Sequence, residues 1–338
     1  MLKKLKIKKH TNPSNIVILI ISILFALLVG SGLYGYGIDY WGSYLKGLEY
    51  SLARLGPFSF LSFWIATLTI FGFHIGVYIT TFILTLSTGF LIREQIKSKQ
   101  SYSVILFLLT FLIAIHTWPI IMSTSNAMRQ GLCMSFIFFS LTCSYQKNYL
   151  RMILFILVAI LMHKSGILLG MIIVFATILN KLLITFSDKN KVAINFLIGI
   201  SSLLVTYYFV NIFILSDNHQ PTRIIQGDYR GAFAFIAFIY VAFSFFYRGI
   251  LANSFNLSLY YYSFISLSFL MNGLNWQYER LGMMMIIPYI LSFGSLFNRS
   301  SYNIYLILTF LLLLLLTIYA GMYTYGLSYE FIKTLTDF

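Results

Sequence analysis

Apolar runs of roughly membrane-spanning length, separated by short polar breaks, fill this sequence from residue 16 onward. Reading the runs in order predicts helices over 15–33, 73–92, 102–121 and 126–145. It predicts two more within 150–183, then helices over 192–215, 232–247, 257–274, 281–297 and 304–319. The result is an all-α, polytopic membrane bundle of about 11 transmembrane helices. Two stretches have awkward lengths. As one helix, 57–92 would be about 54 Å long, against a hydrocarbon core of roughly 30 Å. Arg93, Lys97 and Lys99 follow it, and a single crossing over 73–92 puts them in the cytoplasm, as basic loops prefer. The part before the crossing, 52–71, is then an outer interfacial or re-entrant helix. In 150–183, one straight helix would hold Lys164 near the bilayer centre, where a charge is expensive. Two helices joined at His163–Ser165 avoid that. Each is short for a crossing, so their junction should be recessed below the outer surface.

Composition fixes the class. Of 338 residues, 59% are hydrophobic and 9% are charged, and mean hydropathy is +0.85. A soluble domain carries roughly 25% charged residues, so this chain cannot cover a water-facing surface. It reads as a single transmembrane domain over 1–338, with an outer segment at 34–72 and an outer loop at 216–231. The net charge of +14 does not imply nucleic acid. It gathers on loops that the topology places inside, where lysine and arginine orient helices. The basic N-terminus (Lys3, Lys4, Lys6, Lys8, Lys9) before the first apolar run reads as an uncleaved signal-anchor with the N-terminus in the cytoplasm. Cys133 and Cys143 fall ten residues apart on one helix, about 15 Å, which is beyond disulfide reach. The glycine pairs Gly72–Gly76 and Gly166–Gly170 read as close helix packing.

Polar clusters at the ends of the apolar runs all map to the outer face. Asn126, Arg129 and Gln130 have the spacing of one side of a helix start. An arginine there suits a phosphate or sugar hydroxyl, or it snorkels to lipid headgroups. His163, beside Lys164, is a general acid or base near neutral pH, or a hydrogen-bonding helix end. Glu279 and Arg280, with Asn275 and Tyr278, form an outer-loop ion pair or a functional pair. Asp39, with Tyr40, Tyr44 and Glu49, could deprotonate a hydroxyl or simply face water. Arg223, Asp228 and Arg230 could clamp a diphosphate or be solvated. No phosphate-binding loop, dinucleotide fingerprint or zinc-ligand spacing occurs, and no cofactor is expected.

The order GIDYWGSYLKGLEY, SNAMRQGLCMSFIFFSL, ILMHKSGILLG and NWQYER resembles the EpsG-type family of bacterial polysaccharide polymerases. These are relatives of the Wzy-like O-antigen and capsule polymerases. The match is clearest over 126–170. The resemblance implies a helical membrane fold compatible with a glycosyltransferase-C-like arrangement, and glycosyl transfer outside the cytoplasm. The substrates it implies are repeat units on undecaprenyl diphosphate in the bacterial inner membrane, without nucleic acid, and with the pathway's flippase and chain-length regulator as partners. It assigns the diphosphate to Arg129, Arg280 and Arg230, the acceptor proton to His163, Glu279 or Asp39, and substrate orientation to Asn126, Gln130 and Lys164. A transporter or flippase for lipid-linked oligosaccharide is the alternative, ahead of an O-antigen ligase or a membrane O-acyltransferase. A flippase would need polar residues reaching in from both faces.

Overall fold

The computed structural model describes residues 13–32, 34, 35, 37, 73–97, 104–163, 165–209, 230–246, 251, 253–271, 276–296 and 308–319. These form a membrane bundle of helices: α1 Pro13–Gly30, α2 Phe73–Lys97, α3 Val104–Ile115, α4 Trp118–Ser125, α5 Met128–Tyr145, α6 Tyr149–Met162 and α7 Ser165–Leu182. A single 3-10 turn, Leu183–Thr185, leads to α8 Asp188–Phe209, α9 Arg230–Phe246, α10 Ser254–Met271 and α11 Trp276–Leu296. The chain continues to α12, Leu308–Tyr319. By length and composition, Ile75–Ile96, Ser165–Thr185 and Asn190–Tyr208 are each long and apolar enough to cross a membrane. So are α3 and α4 together, as a pair bent by 53°.

The outer shell of this bundle is apolar and its interior is comparatively polar. Helices α1, α6 and α7 turn Leu24, Leu27, Leu150, Leu154, Leu157, Met171 and Ile178 outward, each with about half or more of its surface exposed. Lipid tolerates that surface and water would not. Helices α5 and α10 are buried along nearly all their described length, and they carry Ser135, Ser140, Ser144, Ser258, Ser263 and Ser268 inward. Helix α1 packs on α2, α2 on α5, and α5 on α6. Helix α10 packs on α7, α8 and α9, and α9 on α11. Helix α7 touches both α5 and α10 and so joins the two halves. It is pinned there by hydroxyls: Ser144 Oγ lies 2.7 Å from Ser254 Oγ and 3.3 Å from Thr177 Oγ1.

The two helices expected within 150–183 are present, separated at His163. Gly166 and Gly170 do pack closely: a Cβ on Gly166 would lie 2.6 Å from the Ala159 carbonyl, and one on Gly170 would lie 2.4 Å from Ile156. Several boundaries move for local reasons. Helix α1 ends at Gly30 and not 33, because Gly32 (φ 86°) and Gly35 (φ 72°) take the left-handed conformation that glycine permits and a helix excludes. Helix α8 starts at Asp188 and not 192, because the Ser187 carbonyl and Oγ accept from the Lys191 and Asn190 N–H groups, a helix-start cap. The 102–121 helix is broken at His116–Thr117 and continues to Ser125, with Pro119 in the first turn of α4, where a missing N–H does no harm. The expected helix over 126–145 begins at Met128, since Asn126 closes the preceding helix α4. The interfacial helix expected at 52–71 lies outside the described residues, as does almost all of the 216–231 loop.

Candidate functional site

Helices α4 and α5 meet end to end at Asn126–Ala127. Asn126 is the C-cap of α4, and the Ala127 N–H donates to the Met122 carbonyl at 2.9 Å. Helix α5 then starts with its N-cap, Ala127, making no side-chain cap. The positive end of its dipole therefore lies beside Arg129. The sharp reversal needs Gly131, where a Cβ would lie 2.0 Å from the Ser123 carbonyl. Asn126, Arg129 and Gln130 do not share one side of a helix start, contrary to their spacing. Asn126 and Gln130 are buried, at 5% and 2% exposure, while Arg129 is exposed. The reason is that Asn126 belongs to the break and precedes the first turn of α5. Its Nδ2 donates to Met122 Sδ at 3.1 Å.

The segment after α1 closes on the same point. The Gly37 N–H donates to the Ser125 carbonyl at 3.2 Å, and a Cβ on Gly37 would overlap the Asn126 side chain at 2.3 Å. Asp39 lies outside the described residues, two positions along from Gly37. Tyr34 sits edge-on to His116 at 6.3 Å between ring centroids, and partial burial pushes its phenol above its ordinary value.

The second cluster is brought beside the first, about one turn deeper. His163 is half-buried at the α6–α7 junction. Cys133, on α5, sits 4.0 Å from the His163 carbonyl oxygen and 3.8 Å from Ser165 Oγ. Ser165 Oγ also lies 3.4 Å from Met284 Sδ of α11. Cys133 comes about 7 Å along α5 from its start, and Met284 about 12 Å along α11 from its start. The His163–Ser165 break thus lies between two helix starts. Helix α6 is short for a crossing at 14 residues, whereas α7, expected to be short as well, is long enough to span as Ser165–Thr185. Lys164 lies outside the described residues.

Glu279 and Arg280 are not in a loop. Helix α11 begins at Trp276, directly after Asn275, a residue type favoured as N-cap. Position 280 is one turn before Met284. Arg230 likewise leaves the predicted loop, because it is the first residue of α9. Phe233, one turn on, stacks against Trp118 at 5.9 Å, and a Cβ on Gly282 would lie 2.4 Å from it. The starts of α9 and α11 therefore stand side by side. So the helix starts carrying positions 129, 230 and 280 gather at one end of the bundle with the recessed histidine. Cys133, Met284 and Gly37 were invisible as site residues in the sequence, since two sulfur side chains and a glycine in apolar runs carry no signal, whereas Ser165 stood out only as part of the polar cluster with His163 and Lys164. Among the described residues, no group of three or more His, Cys, Asp or Glu is placed to hold a metal ion. An exposed arginine at a helix N-terminus, one turn along α5 from the cysteine that touches the His163–Ser165 junction, suits an anionic group.

The chain matches the EpsG family over residues 15–333, nearly its whole length. No curated protein and no solved structure matches it. The chain belongs to the EpsG family, membrane proteins of polysaccharide-polymerase type.

Proposed function

We propose, from this family membership, that the protein polymerises oligosaccharide repeat units carried on undecaprenyl diphosphate, by glycosyl transfer at the extracytoplasmic face of the bacterial inner membrane. The observation that carries the reading is the gathering of helix starts around a recessed junction at one end of the bundle. A substrate held in the bilayer by its lipid needs a site near the headgroups. Its leaving group is a diphosphate, whose developing charge arginines and helix N-termini stabilise. Arg129, Arg280 and Arg230 take the diphosphate. His163, Glu279 and Asp39 are the candidates to accept the acceptor's proton, and Asn126, Gln130 and Lys164 orient sugar or phosphate. The N-terminus lies in the cytoplasm, and the pathway's flippase and chain-length regulator are the partners.

The test is deletion of the gene followed by gel analysis of the surface glycan. Loss of long chains with single repeat units retained on the surface supports polymerisation. Lipid-linked units that stay in the inner leaflet would instead identify a flippase. Normal chain length after deletion removes the polymerase reading.

A further inference from the structure

The His163–Ser165 junction fixes the position of one hydrogen. The Ser165 backbone N–H donates to His163 Nδ1 at 3.2 Å, and Ser165 Oγ lies 2.7 Å from the same nitrogen. An amide N–H only donates, so Nδ1 presents its lone pair and the ring hydrogen sits on Nε2. A proton added at Nδ1 would point one N–H at another. The Gly166 N–H donates to the His163 carbonyl at 2.9 Å, so ring and backbone of one residue together close the start of α7. This is the positive end of that helix, where another positive charge is disfavoured. Ser165 Oγ is in turn held between Cys133 and Met284, so α5 and α11 both steady the junction.

We propose that His163 is a fixed hydrogen-bond donor, through Nε2–H, to a phosphate oxygen of the lipid diphosphate, and that Ser165 is the positioning residue that sets its tautomer. This rests on the polymerase reading. In the transfer, the bond from the anomeric carbon to the diphosphate oxygen breaks, and the acceptor oxygen bonds to that carbon. The broken bond's electron pair stays on the diphosphate, whose charge His163 and Arg129 meet. The acceptor's proton goes to a carboxylate, Glu279 or Asp39. His163 gains no proton, which removes it from the candidate bases.

Glutamine keeps an N–H donor near the Nε2 position and cannot take up a proton, so it separates the two roles. In cells lacking the wild-type gene, His163→Gln should support long glycan chains within about tenfold of wild type. His163→Ala should fall by about 100-fold or more. If Gln is as inactive as Ala while both proteins accumulate, the donor role is wrong. Ser165→Ala keeps the amide, whereas Ser165→Pro removes it at a helix position that tolerates proline. The Pro variant should fall well below the Ala variant when His163 is present, and the two should be equal beside His163→Gln. Equal losses in the presence of His163 would overturn the positioning role. Nitrogen-15 NMR of the histidine-labelled full chain in nanodiscs, with His163→Gln for assignment, reads the tautomer without any activity. The expected spectrum has hydrogen on Nε2 only, with that signal moving on addition of undecaprenyl diphosphate. Hydrogen on Nδ1, or no movement at saturation, overturns the proposal. Failure of the polymerase reading shows separately, as normal chain length after gene deletion.

Discussion

Helices α5 and α7 meet twice, and the two meetings are chemically different. At one end, Ser144 and Thr177 join Ser254 through hydroxyls at 2.7 and 3.3 Å. About 16 Å along α5, Cys133 faces the His163–Ser165 junction across 3.8–4.0 Å, and Met284 closes the third side. The first meeting is a short, fully buried hydroxyl cluster linking three helices. The second is lined by sulfur, which packs softly and adapts, around the one place where the α6–α7 backbone breaks. The difference separates what holds the bundle from what works in it. Polar groups that satisfy one another deep in the protein are structural. Those at the helix starts, near the exposed Arg129, belong to the site we propose for the ligand.

Variants should split along that line. The largest effect belongs to Arg129→Ala, expected to lower long-chain glycan by about 10²–10³-fold, as losing a charge-stabilising donor does. Its melting temperature in detergent should stay unchanged, because the side chain is exposed. Arg129→Lys should recover only part of the activity, since ammonium lacks the planar fork. A large fall in melting temperature for Arg129→Ala would erase the distinction drawn here. Next comes Gly131→Ala. With the Ser123 carbonyl 2.0 Å from the new Cβ, α4 must shift, at a cost of about 1–3 kcal/mol. Activity should fall with stability, because this glycine shapes the α4–α5 reversal that places Arg129. The smallest is Ser144→Ala, expected to cost about 1 kcal/mol, read as a modest drop in melting temperature with glycan length unaltered. Shortened chains from a folded Ser144→Ala protein would show that the hydroxyl cluster is coupled to the site.

Much of this architecture was legible because lipid imposes blunt rules. The expense of burying Lys164 predicted the α6–α7 break, but the brevity expected of both helices holds for α6 alone, since Ser165–Thr185 is long enough to cross a membrane. What the periodicity missed was local and backbone-driven. Asn126 looked like a helix start and is a helix end, because two half-helices abut there. Glu279, Arg280 and Arg230 looked like loop residues since they are charged, yet each lies in the opening turns of a helix, where charge is tolerated. The gathering of distant segments had no sequence signal. It rests on Gly37 against Asn126, Phe233 against Gly282, and Ser165 against Met284, contacts between residues too small or too apolar to stand out.

The 14-residue length of α6 has a consequence for the membrane as well as the protein. It is about 21 Å long, while Leu150, Ile153, Leu154, Leu157 and Leu161 on its surface are all exposed. A lipid-facing helix that short draws the bilayer thinner around it. With the topology proposed above, headgroups beside α6 would dip toward the level of His163. A lipid-linked diphosphate diffusing past would descend with them, arriving at the recess without leaving its own polar layer. For the proposed polymerisation, bilayer thickness then becomes a control, and membranes of longer acyl chains should slow it.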